Sequence, residues 1–357
     1  MPLVSSSELP SFKRLSDEGK TVISRDAAER QDIRELHIGL LNMMPDAALE
    51  ATERQFFRLV GDSNPIAQLY MHPFTLKELK REGKGLAHIE KYYEQFEDIK
   101  KMGLDCLIIT GANVVGSNLA DQPFWKPLIE VVDWAYENVT STLCSCLATH
   151  AVMEFRYNQK RQPLGYKRWG SYPHCVKNSQ HPLVYDVNTR FDVPHSRFNE
   201  VSRKQFDDAC VEVLVESKEA GVHLAVSEDL FRLVLFQGHP EYDRISLLKE
   251  YKREVTLYAT GKKKEYPPFP DNYLSIAAEA ILDEYRERLD SAMDSGATLP
   301  HMPEELIASE VDNTWHDTAK SVIGNWIGHV YQLTHLDRNK PFKDDIDPEN
   351  PLGLRNQ

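Results

Sequence analysis

Cys146 is the residue around which chemistry can be built in this chain. It stands in Thr140-Ser-Thr-Leu-Cys-Ser-Cys146-Leu-Ala-Thr-His150. Val139 to Leu143 is β-branched and apolar, which reads as a buried strand, and Leu147 to Phe155 carries apolar residues at helical spacing. A thiol at the junction projects from a sharp turn, and the helix after it offers free backbone N–H groups. That geometry lowers a thiol pKa and supplies an oxyanion site. A thiolate attacking a carbonyl also needs a base, and the base needs an orienting group. His239 is the candidate base, in Gln237-Gly-His239-Pro-Glu241-Tyr-Asp243, directly after the apolar strand Leu233 to Phe236. Glu241 is placed to hold its tautomer and stabilise its charged form, and Gly238 permits close approach at the loop.

Other reactive side chains read differently. Cys144 reads as a small packed hydrophobe rather than a resolving thiol. Cys106 and Cys210, in or beside apolar runs, read as core. Cys144, Cys146, His150, His174 and Cys175 lack Cys-x-x-Cys or regular histidine spacing, so no metal site is expected. His195 is open between a substrate contact and a structural hydrogen bond. Lys262-Lys-Lys264 is a solvated run at a helix end that could attract phosphates of a coenzyme.

The elements that must carry these groups follow from the apolar pattern. Leu36 to Leu41, Ile66 to Met71, Leu104 to Thr110 and the Cys146 strand alternate with helices over Ala47 to Val60, Glu90 to Met102 and Phe124 to Tyr136. This is the pattern of an α/β fold with a doubly wound, mostly parallel sheet flanked by helices. Tyr157 to Arg168 is basic and turn-rich. Val211 to Val215, Val222 to Val226 and Leu233 to Phe236 read as antiparallel strands finishing the sheet. Helices are expected over Ile245 to Thr260, Asn272 to Met293 and Trp315 to Leu333, with a loop over Ser295 to Glu310. Residues 1–34 read as an N-terminal arm with a short helix, 35–336 as one domain ending in a C-terminal helical extension, and 337–357 as a frayed tail.

The 357 residues are 41% hydrophobic and 27% charged, ordinary for a globular protein. No apolar run is long enough to span a membrane, and the polar N-terminus does not read as a secretory signal. Five cysteines without regular spacing argue for a reducing, cytoplasmic setting. A net charge of −13 disfavours nucleic acid as a partner.

Thr110-Gly-Ala112, the Ser141-Thr-Leu-x-x-Cys146 elbow, Pro194-His-Ser196-Arg197, Gly238-His-Pro-Glu-Tyr-Asp243, Asn325-Trp326 and Tyr331-Gln332 occur in this order. Together they resemble the homoserine O-acyltransferases of the homoserine O-succinyltransferase type, over roughly residues 34–336. The resemblance implies a class I glutamine-amidotransferase-like fold and acyl-CoA-dependent O-acylation of L-homoserine in methionine biosynthesis. It implies Cys146 as acyl-thioester nucleophile, His239 as proton acceptor and Glu241 as its partner. Lys167 and Arg253 fall on substrate-binding positions and Ser196 on a substrate-specificity position. The guanidinium of Arg253 suits an α-carboxylate. The resemblance further implies a homodimer, with acyl-CoA as co-substrate and no permanently bound cofactor.

The chain also departs from that pattern. Asn113 replaces a proline. Val115 occupies a position tied to acyl-donor choice, where the family carries glutamate or glycine, so succinyl-CoA and acetyl-CoA both stay open. The loop after Asn42 lacks a lysine, and Leu147 replaces an aromatic residue. L-serine is an alternative acceptor, and a glutamine amidotransferase-type amidohydrolase an alternative use of the triad. The elbow flanks, Cys144 and Ala148, lack the glycines typical of amidotransferases.

Overall fold

The structure is a computed structural model that describes residues 3–63, 67–114, 116 and 118–355. In chain order the first half comprises β1 (Leu3–Ser5), α1 (Pro10–Asp17), β2 (Val22–Ser24), α2 (Arg25–Glu29), β3 (Glu35–Leu41), α3 (Asp46–Ser63), β4 (Gln68–Phe74), α4 (Gly83–Tyr92), α5 (Phe96–Met102), β5 (Cys106–Ile109), α6 (Trp125–Asn138), β6 (Ser141–Ser145) and α7 (Leu147–Tyr157). The second half comprises β7 (Gln162–Val176), β8 (Arg190–Glu200), α8 (Arg203–Asp208), β9 (Glu212–Ser217), β10 (Gly221–Val226), β11 (Leu233–Phe236), α9 (Ser246–Ala259), α10 (Ile276–Ser295), α11 (Glu304–Ser309) and α12 (His316–Leu333).

Among the described residues the strands form one eleven-stranded sheet in the order β2-β1-β4-β3-β5-β6-β11-β10-β9-β7-β8. Pairing is parallel from β2 to β11 and antiparallel from β11 to β8. The parallel strands are buried on both faces, which is why they read as continuous apolar runs. Leu36, Ile38, Leu40, Ile108 and Leu143 pack under α3 and α12 on one face. Leu41, Leu107, Ile109 and Cys144 pack under α6 and α7 on the other. A third cluster joins α9, α10 and α11 through Leu247, Tyr251, Leu282 and Ile307. From β3 the chain winds first to β4 and then back to β5, so the order reverses between β3 and β5. Crevices at the carboxyl ends of strands at such a reversal are where ligands bind in open α/β sheets.

Several expectations need correction. The arm holds more than a short helix: β1 and β2 add parallel edge strands beside β4, runs too short to leave a periodic signal. The helix expected over Glu90 to Met102 is two, because Tyr93 turns inward to accept a hydrogen bond from Asn42 Nδ2 at 3.0 Å. There Glu94 N also donates to Pro73 O at 2.9 Å. Tyr157 to Arg168 is not a run of turns; it ends α7 and begins the long strand β7, whose partner β8 lies beyond any local window. The loop over Ser295 to Glu310 contains α11. Residues 337–355 do not fray: Phe342 is buried in the α3/α12 face, and Thr140 Oγ1 donates to Pro341 O. Cys210 is exposed at φ 55°, so it is a turn residue rather than core. Ile66 lies outside the described residues.

Candidate active site

Cys146 occupies the N-cap of α7 with φ 52° and ψ −105°, a strained backbone for any residue but glycine. The turn is enforced from beneath. Cys146 N donates to Phe236 O at 2.7 Å, tying the elbow to the end of β11. Thr149 Oγ1 lies 2.9 Å from Cys144 O and 2.8 Å from Phe236 O, bridging the ends of β6 and β11. The strand end of β5 closes the other side: a Cβ on Gly111 would sit 3.5 Å from Cys146 Cβ and 4.0 Å from Leu147 N. The sulfur is thus flanked by the first amides of α7, which have no acceptor within the helix.

β11 delivers the base. β6 and β11 are parallel neighbours in register, Ser145 opposite Phe236, so the segments that follow them emerge side by side. His239 N donates to Pro194 O at 2.8 Å, which fixes the loop against β8. A side chain at Gly238 would meet Val193 Cγ1 at 2.5 Å, so glycine is required for that approach. His239 Nδ1 lies 2.8 Å from Glu241 Oε1, both side chains being buried. Burial opposes the imidazolium, but Glu241 and the Cys146 sulfur outweigh it, and the His239 pKa is raised well above 6.5. Nε2 has no hydrogen bond of ordinary geometry, yet the Cys146 sulfur lies close enough to it to help raise the His239 pKa. The structure therefore gathers Cys146, His239 and Glu241 into one thiol–imidazole–carboxylate unit.

Lys167 and Ser196 converge on a residue that sequence reasoning passed over. Glu250, on α9, accepts from Lys167 Nζ at 2.9 Å and Ser196 Oγ at 2.7 Å through Oε2, and from Tyr242 OH at 2.6 Å through Oε1. Burial would raise the Glu250 pKa, yet Lys167, Tyr242 and Ser196 together hold it below the usual value. Tyr242 stacks on His239 with centroids 4.4 Å apart, so this node borders the catalytic base. Arg253 lies one helical turn beyond Glu250, the spacing that puts two side chains on one helix face. Its side chain is 56% exposed and makes one long contact, 3.4 Å to Glu254 Oε1. A carboxylate one turn before Arg253 was the available signal for Glu250.

Val115 lies outside the described residues. The carbonyls of Val114 and Gly116, on either side of it, both accept from Arg161 Nη2. Burial lowers the Arg161 pKa, and the Cys146 sulfur counteracts it, which puts Arg161 within electrostatic reach of Cys146.

Two other motif residues, His195 and Trp326, are packed in the interior. His195 is fully buried, hydrogen-bonded to His174 Nε2 at 3.2 Å and to Arg197 Nε at 3.3 Å. Trp326 Nε1 donates to Ser141 Oγ at 2.8 Å beneath β6. Cys144 is buried in β6, and burial pushes its thiol up to about 12, which suits packing and not exchange. Cys144, Cys146, His150, His174 and Cys175 form no group able to hold a metal ion among the described residues. No helix among them is long and apolar enough to cross a membrane.

Known proteins place this chain in a family. The chain is 64% identical over 355 residues to a homoserine O-succinyltransferase of Nitrosococcus oceani, covering 99% of both chains. It is 64% identical over 354 residues to one of Allochromatium vinosum, again covering 99% of both. Among solved structures, a glutamine amido transferase from Methylobacillus flagellatus aligns at 11% identity and TM-score 0.45, over 83% of this chain and 95% of that one. A family model described as homoserine O-succinyltransferase matches residues 2–336. The chain belongs to the homoserine O-succinyltransferase family, whose members are acyltransferases.

Proposed function

We propose that this protein transfers the succinyl group of succinyl-CoA to the side-chain hydroxyl of L-homoserine, through a thioester on Cys146, as a step toward methionine. The observation that carries the reading is a thiol–imidazole–carboxylate unit bordered by the Glu250–Arg253 face of α9. Cys146 Sγ attacks the donor carbonyl, and the oxyanion is met by the first amides of α7. The coenzyme thiolate leaves and takes the proton held on His239 Nε2. In the second half His239 Nε2 removes the proton of the acceptor hydroxyl as its oxygen attacks the acyl carbon. Collapse of that adduct releases the ester and restores the thiolate. Glu241 keeps Nδ1 protonated throughout.

The acceptor is an amino acid, so its site needs a cation and an anion. Arg253 supplies a planar fork for the α-carboxylate. Glu250 supplies the anion for the α-ammonium, which replaces Lys167 as one of its donors. The succinyl donor is supported by the shared name of relatives at 64% identity. Mass spectrometry after incubation with succinyl-CoA alone is expected to find a succinyl adduct on the Cys146 peptide, discharged faster by homoserine than by serine. No adduct with either succinyl- or acetyl-CoA would sink the reading, and faster discharge by serine would replace the acceptor.

A further inference from the structure

A cleft of about 650 Å³ opens beside Lys167. Its walls come from β7, β8, α9 and the segment that follows α9. Two of its features bear on what it could hold. Tyr166 and Phe198 on its wall are 57% and 41% exposed, although large apolar side chains are mostly buried elsewhere. Aromatic faces left open in this way suit a flat heterocycle. Its rim carries Lys263 and Lys264, beside Lys262, in a chain whose net charge is −13. A cationic rim in an anionic protein favours a polyanion at that place.

The lining is charge-balanced, Lys167, Lys263 and Lys264 against Glu254, Glu265 and Asp271, so the cationic character of the rim comes from the Lys262–Lys264 run. Glu254 is paired with both Lys263 and Arg253. Asp271 accepts from Tyr172 OH at 2.6 Å. Glu265 is exposed next to Lys264. The cleft is also connected to the chemistry. Lys167 lines it and bonds Glu250, Glu250 bonds Tyr242, and Tyr242 stacks on His239. A ligand seated there lies three contacts from the base, a separation that suits the distal end of a long donor whose reactive carbon must reach Cys146.

We propose that this cleft holds the nucleotide end of the thioester donor, the adenine against Tyr166 and Phe198 and the phosphates against Lys263 and Lys264. The inference rests on the acyl-CoA reading above. A donor truncated to succinyl-N-acetylcysteamine has the thioester but no nucleotide, so it separates the two. In a K263E/K264E double variant the ratio of kcat/KM for succinyl-CoA to that for the truncated donor is expected to fall at least about tenfold, the equivalent of ~1.4 kcal/mol. Titration calorimetry with adenosine 3′,5′-bisphosphate is expected to show binding to the unmodified protein and its loss in the variant. An unchanged ratio, or equal losses with both donors, overturns the cleft assignment while leaving acyl transfer standing. A rise in KM for homoserine alone overturns it in favour of an acceptor site. Failure of both donors to acylate Cys146 in the unmodified protein overturns the acyl-transfer reading, and this one with it.

Discussion

Cys146 and His239 follow neighbouring parallel strands, and Glu241 is two residues beyond His239 in the same turn. Lys167, Ser196 and Glu250 meet only because the antiparallel ribbon β7–β8 folds against α9. The nucleophile side is thus assembled by local turns on a sheet buried on both faces. The proposed acceptor side is assembled by tertiary contact between elements with no local relation. Strain and an ion pair preorganise the first; a shared carboxylate preorganises the second. The difference implies that damage to the first falls on both half-reactions, and damage to the second on the acceptor half alone.

The widest breach is expected at Cys146. Cys146→Ala and Cys146→Gly both remove the nucleophile, and turnover is expected to fall by about 10⁵, the scale seen when a covalent nucleophile is lost. The two variants separate in stability. At φ 52° glycine relieves the elbow and alanine does not, so Cys146→Gly is expected to unfold later in urea, by roughly 1–2 kcal/mol. Equal denaturation midpoints would mean the elbow stores no strain.

Glu241→Gln tests the ion pair of the same side. Turnover is expected to fall roughly a thousandfold, because the amide neither fixes the tautomer nor supports the imidazolium. Stability carries a sign. The His239 pKa is raised in the folded protein, above its ordinary 6.5. Its contribution is therefore fully present below that ordinary value and lost as pH rises through the raised one. The stability gap between wild type and Glu241→Gln is expected to be widest below the ordinary pKa of 6.5 and to narrow as pH rises through the raised one in paired urea titrations. A gap that widens with pH would reverse the assignment of charge.

Glu250→Gln probes the acceptor side. The neutral amide keeps the shape but loses the charge that Lys167 and an α-ammonium both need. Homoserine KM is expected to rise about thirtyfold, ~2 kcal/mol for a charge-assisted contact, with the rate of Cys146 acylation in the absence of acceptor little changed. If acylation slows by the same factor, Glu250 acts through Tyr242 on His239, and the division between the two sides breaks down.

The same division explains what could be read from sequence. The parallel strands announce themselves as apolar runs, and the triad lies in two short motifs at their ends. β7 and β8 did not, because a strand with Gly165, Gly170 and several charges is stabilised by a partner that no window contains. The break at Tyr93 depends on Asn42, and the strands β1 and β2 depend on the open edge of β4. Glu250 was passed over because a glutamate in a charged amphipathic helix looks like any other until Lys167, Ser196 and Tyr242 converge on it. Arg253 is on the same helix and exposed, and no contact within the protein marks it out for the carboxylate-binding role proposed for it.

Ser196 gives the smallest expected effect and the finest test of how the acceptor side is wired. Its hydroxyl is one of three donors to Glu250, and the other two stay when it is removed. Loss of one hydrogen bond to a carboxylate that keeps its remaining partners is worth ~1 kcal/mol, so Ser196→Ala is expected to raise homoserine KM about fivefold and to leave acylation unaffected. The double variant with Glu250→Gln is expected to be no worse than Glu250→Gln alone, because the hydroxyl acts through that carboxylate. Additive losses would mean that Ser196 touches the acceptor directly, and the acceptor side would then have two independent grips rather than one shared node.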